Sequence, residues 1–431
     1  MPLQLAELRP VRTVLSNGLT LMAVPMPHMH RSVLEAQIRV GSRFESAEDN
    51  GISHFLEHML YRGTPRFPSA HDQALAFETL GGTLQAATAK DFGSMQISLP
   101  PERFLDVLPL VSEVYQQPIL SGIEIERGIV QEEILETLDE AGNLIDADEL
   151  LGSVAFPGHP LGLPITGLPE QVREFDPARL RRHHSAFYVA RATTLVAAGP
   201  IDADVVLREL SALFGGLQPG ERPQVAAPRV QAQPSFKFVA HGASQTSLRV
   251  GFRAPSLLDP REPAAQLLVR VIDDGLSTRL YEHICDRRGL CYDVAAGYEA
   301  YEDVGLLDLS ADSANERAAE VLAELLDVVR RLRDEGPSDA ELEKAKRRHG
   351  WQLSMILDDP EEVAAHFAMA ELSGTTRHPA ERREQLAQVT RAQVVDVARE
   401  IFAPSGLNVV AVGAQNKRNR DKLRRLALEF R

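Results

Sequence analysis

Strand-like apolar runs at residues 11–15 and 19–24 flank Asn17-Gly18, a pair that favours a tight hairpin turn. Residues 32–40 alternate apolar and polar side chains, as a strand with one buried face does. Two further strands are expected at 83–87 and 93–99, and a helix at 101–117. This order returns later in the chain. Strands are expected at 236–239, 245–252, 292–298 and 304–309, and a helix at 315–334. Each half then has a Ser-x-x-Glu run, Ser121 to Glu124 and Ser338 to Glu341, which predicts a capping box at the start of another helix. Each half closes on an apolar strand entering glycine, at 195–199 and 409–413.

The repeated order predicts a duplicated α+β chain: two homologous α/β-sandwich domains, each an antiparallel-rich sheet with helices packed on one face. Residues 218–235 contain Pro219, Gly220, Pro223, Pro228 and Pro234 without apolar periodicity, and predict a linker. The expected division is therefore 1–217, linker 218–235, and 236–431.

Charge and composition remove several classes of function. The formal net charge of −15 disfavours a general nucleic-acid binder, which needs a basic surface, and gives no reason to expect binding to an anionic membrane. No run of about 18 apolar residues predicts a membrane-spanning helix. The start, Met1-Pro2-Leu3-Gln4, lacks the pattern of a signal peptide. A soluble protein is expected, cytoplasmic, or periplasmic if a leader has been removed. The only cysteines, Cys285 and Cys291, make no disulfide framework and are expected to be separate thiols.

Candidate chemistry concentrates in residues 50–60. Ile52, Phe55, Leu56, Met59 and Leu60 are spaced as one buried stripe of a helix. His54 and His58, at i and i+4, then leave nearly the same face and can meet one zinc ion at about 2.0–2.1 Å. Glu57 stands close enough to reach a water at such an ion without being a ligand. This is the His-x-x-Glu-His pattern of zinc hydrolases.

A catalytic zinc site needs a third protein ligand and an open position. The helix expected at 121–140 carries Glu124, Glu126, Glu132, Glu133 and Glu136, and spacing alone leaves all five open. Aligning the halves on Ser121 and Ser338 sets Glu126 opposite Glu343 and Glu133 opposite Gly350. The second half also lacks the His-x-x-Glu-His run, so it is expected to be a metal-free sister domain.

The chain resembles the M16 metallopeptidases, the pitrilysin and insulinase-like peptidases, and within them the short subfamily that includes the mitochondrial processing peptidase subunits. The likeness runs from about Val11 to Gly413 and rests on Asn17-Gly-Leu-Thr-Leu, Gly51-Ile-Ser-His-Phe-Leu-Glu-His-Met and Glu126-Arg-Gly-Ile-Val-Gln-Glu-Glu133. It implies that each domain is like half of an M16 subunit. It implies one Zn2+ per chain held by His54, His58 and Glu133, with Glu57 catalytic and Glu126 supporting a ligand. It further implies an edge strand at Gln85, Ala86 and Ala87 that takes a peptide substrate in extended form, with Gln85 where the family usually has Asn. Tyr292 matches a tyrosine that completes the family's active site together with an Arg seven residues earlier. Here that Arg position is Cys285. The expected function is a zinc metalloendopeptidase subunit working inside a closed dimeric chamber. The expected partner is a homologous M16 subunit, with a heterodimer favoured over a homodimer because of Cys285. The alternative is a non-catalytic structural or peptide-binding subunit.

Overall fold

The computed structural model describes residues 8–375 and 378–431; the leader-free start expected at residues 1–4 lies outside them. Two sheets organise the chain. The first runs β1 (Val11–Val14), β2 (Thr20–Pro25), β6 (Thr193–Gly199), β3 (Ser32–Ile38), β5 (Gly93–Leu99), β4 (Thr83–Thr88) in spatial order. The second runs β7 (Ser235–Ala240), β11 (Leu407–Gly413), β8 (Gln245–Ala254), β10 (Gly305–Ala314), β9 (Val294–Ala300). Apart from the extra edge strand β1 the orders match one for one. In each sheet a single pair, β2 with β6 and β7 with β11, is parallel and the rest are antiparallel. The duplication read from element order thus reaches the level of strand pairing. The hairpin turn closes on Asn17-Gly18, where Gly18 takes φ 92° and its amide donates to Leu15 O at 2.9 Å.

The chain's helices include α1 (Ile52–Met59), α2 (Ala70–Thr79), α3 (Phe104–Gln116), α4 (Ile123–Leu135) and α5 (Ala147–Ala155). In the first sheet the strands β3 and β6 are buried along their whole length, so both faces are covered. One face meets the helix Pro360–Ser373: Met22, Val24, Val33, Val196 and Ala198 form a cluster with Val363, Ala364, Phe367 and Ala368. Phe367 is fully buried there, worth about 1.5–3 kcal/mol in apolar transfer. On the other side the helix Ala203–Phe214 lies against β2 and α3. In the second sheet α5 plays the corresponding part, with Leu150, Leu151 and Ala155 clustered with Leu306, Val410 and Val412.

The compact units therefore exchange segments. Within the described residues one comprises the chain up to Glu136, Leu163–Val225 and Gln352–Ala380; the other comprises Thr137–Gly162, Ala226–Trp351 and Glu381–Arg431. The contiguous division at 218–235 is cut across because each half lends the apolar face of one helix to the sheet of the other. Two smaller expectations also need correction. The second capping box forms, with the Glu341 amide donating to Ser338 Oγ at 3.3 Å and the Ser338 amide to Glu341 Oε2 at 2.7 Å. The first does not form. α4 starts at Gly122, held left-handed at φ 74° without a side-chain cap, and Glu124 pairs instead with Arg127 at 3.1 Å. β9 begins at Val294, two residues after the expected start at Tyr292. Among the described residues no helix is long and apolar enough to cross a membrane.

One buried acid makes the first unit sensitive to pH. Glu35, on the face of β3 that carries Val33, accepts from Gln37 at 2.8 Å and Gln96 at 3.0 Å and is 2% exposed. Burial pushes its carboxyl up to about 7 against the pull of both amides, and the charge of Glu361 adds to the rise. The fold favours the protonated acid, so its contribution is complete below the ordinary value of 4.5 and is lost as pH rises through about 7. Between pH 5 and 8 the chain should lose about 2–3 kcal/mol more stability than Glu35→Gln. Urea unfolding at the two pH values measures the difference, and parallel losses would refute it.

Candidate metal centre

The segment at 50–60 forms α1 as its spacing predicts, but its entry is set by backbone and charge. Gly51 takes φ 91°, and a Cβ there would come within 2.5 Å of Thr166 O. The buried Glu45 carboxylate receives the Gly51 amide at 2.8 Å through one oxygen and the Ser53 amide at 2.8 Å through the other, capping the helix from outside it. Ser53 Oγ lies 3.0 Å from Nε2 of His183, whose imidazole burial pushes down to about 3 and so keeps neutral. These contacts fix the axial rotation of α1 and hence the direction of its histidines.

α1 packs against α4 and against β4. On α4, Glu126, Val130 and Ile134 are buried at i, i+4 and i+8, which turns that helix face inward. Glu133 stands beside this face. His54, His58 and Glu133 each offer one ligand atom, and the three atoms lie within 4.8 Å of one another. His54 Nε2 is 3.4 Å from Glu133 Oε1, and His58 Nε2 is 3.4 Å from Oε2. Tetrahedral bonds of about 2.0–2.1 Å give ligand-to-ligand edges of about 3.3–3.4 Å, so the spacing fits a zinc-sized ion. The His54 ring, hydrogen-bonded to Glu133, and the charge of both rings hold that carboxyl below the usual carboxylate range.

The two rings are steered differently. His58 Nδ1 lies 3.2 Å from Glu126 Oε2, a contact that would keep a proton on Nδ1 and free Nε2 for an ion once one is bound. Arg62 donates to the other Glu126 oxygen at 3.1 Å and balances its buried charge. His54 Nδ1 meets no hydrogen-bond partner among the described residues; that ring is held by burial, at 7% exposure. Of the five glutamates open by spacing, Glu126 and Glu133 reach the histidines, while Glu124 is bound to Arg127.

Glu57 lies on α1 with Oε2 accepting from Thr88 Oγ1 at 2.7 Å. Thr88 ends β4, which pairs with β5 on one side and has no second strand partner among the described residues. Gln85, Ala86 and Ala87 form the middle of that strand, with Gln85 and Ala87 exposed and Ala86 half-buried. Tyr61 follows α1; burial and the charge of Glu57 push its phenol up to about 12 while the Ala86 amide donates to it. Sequence reasoning passed over Thr88 and Arg62, although both carried a signal. Thr88 is two residues beyond Ala86, on the same strand face, and Arg62 is four beyond His58, in the turn that follows the helix.

Tyr292 lies in the second compact unit, just before β9, and is 76% exposed. Cys285 sits in a π-helical turn, Glu282–Asp286, and both it and Cys291 are free thiols, as expected. Arg287 pairs with Glu282 at 2.5 Å and Arg288 with Glu324.

Many known proteins are similar to this chain in sequence or fold. The insulinase (peptidase family M16) sequence profile matches residues 22–167, and that of the peptidase M16 inactive domain matches residues 174–348. Uncharacterized zinc proteases of Mycobacterium bovis and Mycobacterium tuberculosis are 31% identical over 92% of this chain and 92% of their own length. One from Rickettsia bellii is 27% identical over 93% of this chain and 97% of its own. Among solved structures, a protease from Helicobacter pylori superposes with a TM-score of 0.85 at 19% identity, covering 94% of this chain and 99% of that one. A peptidase M16 inactive domain from Pseudomonas fluorescens gives 0.86 at 19%, covering 95% and 99%, and both share the fold. With near full-length likeness to the mycobacterial zinc proteases and both halves matched in order, this chain belongs to the M16 peptidase family.

Proposed function

We propose that the chain is a zinc metalloendopeptidase subunit that cleaves peptides bound in extended form. The observation that carries this reading is the convergence of His54, His58 and Glu133 to within 4.8 Å, with Glu57 on the same helix and outside the ligand set. The inactive-domain likeness covers residues 174–348, the part without the His-x-x-Glu-His run, and is compatible with a working first half.

His54, His58 and Glu133 would hold the zinc ion, with Glu126 and Arg62 orienting His58. The ion supplies Lewis acidity, which acidifies a water and polarises the scissile carbonyl. Glu57 takes the proton from the attacking water and passes it to the leaving amine. The open edge at Gln85, Ala86 and Ala87 pairs with the peptide main chain, which gives affinity with little demand on side chains. Tyr292, or its counterpart on a partner, donates to the oxyanion that forms as the carbonyl is attacked.

The partner is a homologous, metal-free subunit of the short processing-peptidase type, closing a chamber around the site. Cys285 in place of the family's usual Arg supports a heterodimer, because a second chain would then supply that cation. The same residue is the one feature that favours the alternative, a non-catalytic structural or peptide-binding subunit.

Zinc content and hydrolysis of a fluorogenic peptide, measured on the chain alone and mixed with a candidate partner, test these readings. One zinc per chain and greater turnover in the mixture are expected. Equal turnover with and without the partner removes the heterodimer. Zinc-free protein without turnover in either sample removes the enzyme.

A further inference from the structure

We infer that Thr88 is a positioning residue for Glu57, tying the alignment of the general base to the strand that receives the peptide. The inference rests on the metallopeptidase reading and deepens it.

Residues of β4 alternate between two faces. Gln85 and Ala87 are exposed, while Leu84 is buried and Ala86 and Thr88 are half-buried on the opposite face. α1 packs on β4, and from that face the Thr88 hydroxyl donates to Glu57 Oε2 at 2.7 Å. A hydroxyl has one proton to give, and at this distance it goes to the carboxylate. Among the described residues Thr88 is the one hydrogen-bond donor that the Glu57 carboxylate meets.

Two consequences follow from that contact. The carboxylate is held against rotation about its last bond, with Oε2 occupied and Oε1 left to receive the water's proton. Neither zinc ligand can do this, because His54 and His58 project from α1 towards Glu133 and leave Glu57 a flexible side chain. The second consequence concerns β4. Its far edge has no strand partner among the described residues, and the three residues that would pair with peptide lead directly into Thr88. A peptide that pairs with Gln85–Ala86–Ala87 as an added strand fixes the backbone that carries the Thr88 hydroxyl. Substrate engagement and alignment of the base are then one event, and a ligand that fails to pair with the edge leaves Glu57 less well placed.

The test compares Thr88→Val, which keeps the β-branched shape and removes the donor, with Thr88→Ser, which keeps the donor. In the zinc-loaded protein with its partner, Thr88→Val should lower kcat by about 10- to 100-fold with KM within about twofold, and Thr88→Ser should return kcat to within about threefold. Zinc content should be unchanged in both. The second readout needs no activity. In zinc-free protein Thr88→Val should lower the melting temperature by about 2 °C, and by much less in a Glu57→Ala background. An unchanged kcat in Thr88→Val, a Thr88→Ser as impaired as Thr88→Val, or additive melting shifts would each overturn the inference while wild-type turnover still supports the enzyme. Zinc-loaded wild type that hydrolyses no peptide, alone or with partner, overturns the metallopeptidase reading and the inference with it.

Discussion

Glu57→Gln is expected to lower kcat about 1,000-fold while the chain keeps its zinc. The two halves of this expectation have separate physical grounds. Gln has the size of Glu and can still accept from Thr88, whose hydroxyl lies 2.7 Å from Glu57 Oε2, so α1 and the strand beside it should keep their places. His54, His58 and Glu133 are untouched, and their convergence does not run through Glu57. What the amide lacks is a basic oxygen able to take a proton at neutral pH and return it to the leaving amine. Residual turnover comes from polarisation of the carbonyl and from binding. Steady-state kinetics with metal analysis on the same sample decides the matter. Full activity removes Glu57 as base; lost zinc makes it a ligand instead.

Much of this arrangement was legible in the sequence because it depends on short-range periodicity. A hairpin marked by Asn17-Gly18, a helix with apolar residues at 52, 55, 56, 59 and 60, and two histidines one turn apart are set by residues close in the chain. The duplicated order was legible for the same reason, and the matching strand orders of the two sheets bear it out. Long-range packing was not legible. Periodicity marks one face of the helices Ala147–Ala155 and Pro360–Ser373 as apolar without saying which sheet that face will cover, and each covers the sheet of the other half. The Ser121 capping box failed because Gly122 offers a left-handed turn that the second half, with Asp339 in its place, does not have. Likewise, the glutamates along residues 121–140 could not be ranked by spacing. Glu133 was singled out by the alignment that sets it opposite Gly350 and by the family resemblance; in the structure the Val130 and Ile134 face turns inward and Arg127 binds Glu124.

The largest effect on the metal should come from Glu133→Gln, which is expected to weaken zinc binding by well over about 100-fold, beyond the 10- to 100-fold typical of a residue that only orients a ligand. Glu133 is the only one of the three candidate ligands that carries negative charge, and one of its oxygens faces each imidazole at 3.4 Å. An amide of the same shape keeps the packing of α4, whose buried residues are Glu126, Val130 and Ile134, so the fold should stand. It removes the charge and leaves two imidazoles, 4.7 Å apart between centroids, to hold a divalent cation. Glu126→Gln provides the contrast: it loosens only the His58 ring through the Nδ1 contact at 3.2 Å, and its loss should stay within the smaller range. Chelator competition on both variants orders the two effects, and turnover should follow zinc occupancy in Glu133→Gln but not in Glu57→Gln. A Glu133→Gln chain that holds zinc as tightly as wild type would dissolve the proposed centre, because no other carboxylate among the described residues joins His54 and His58 in a group able to hold an ion.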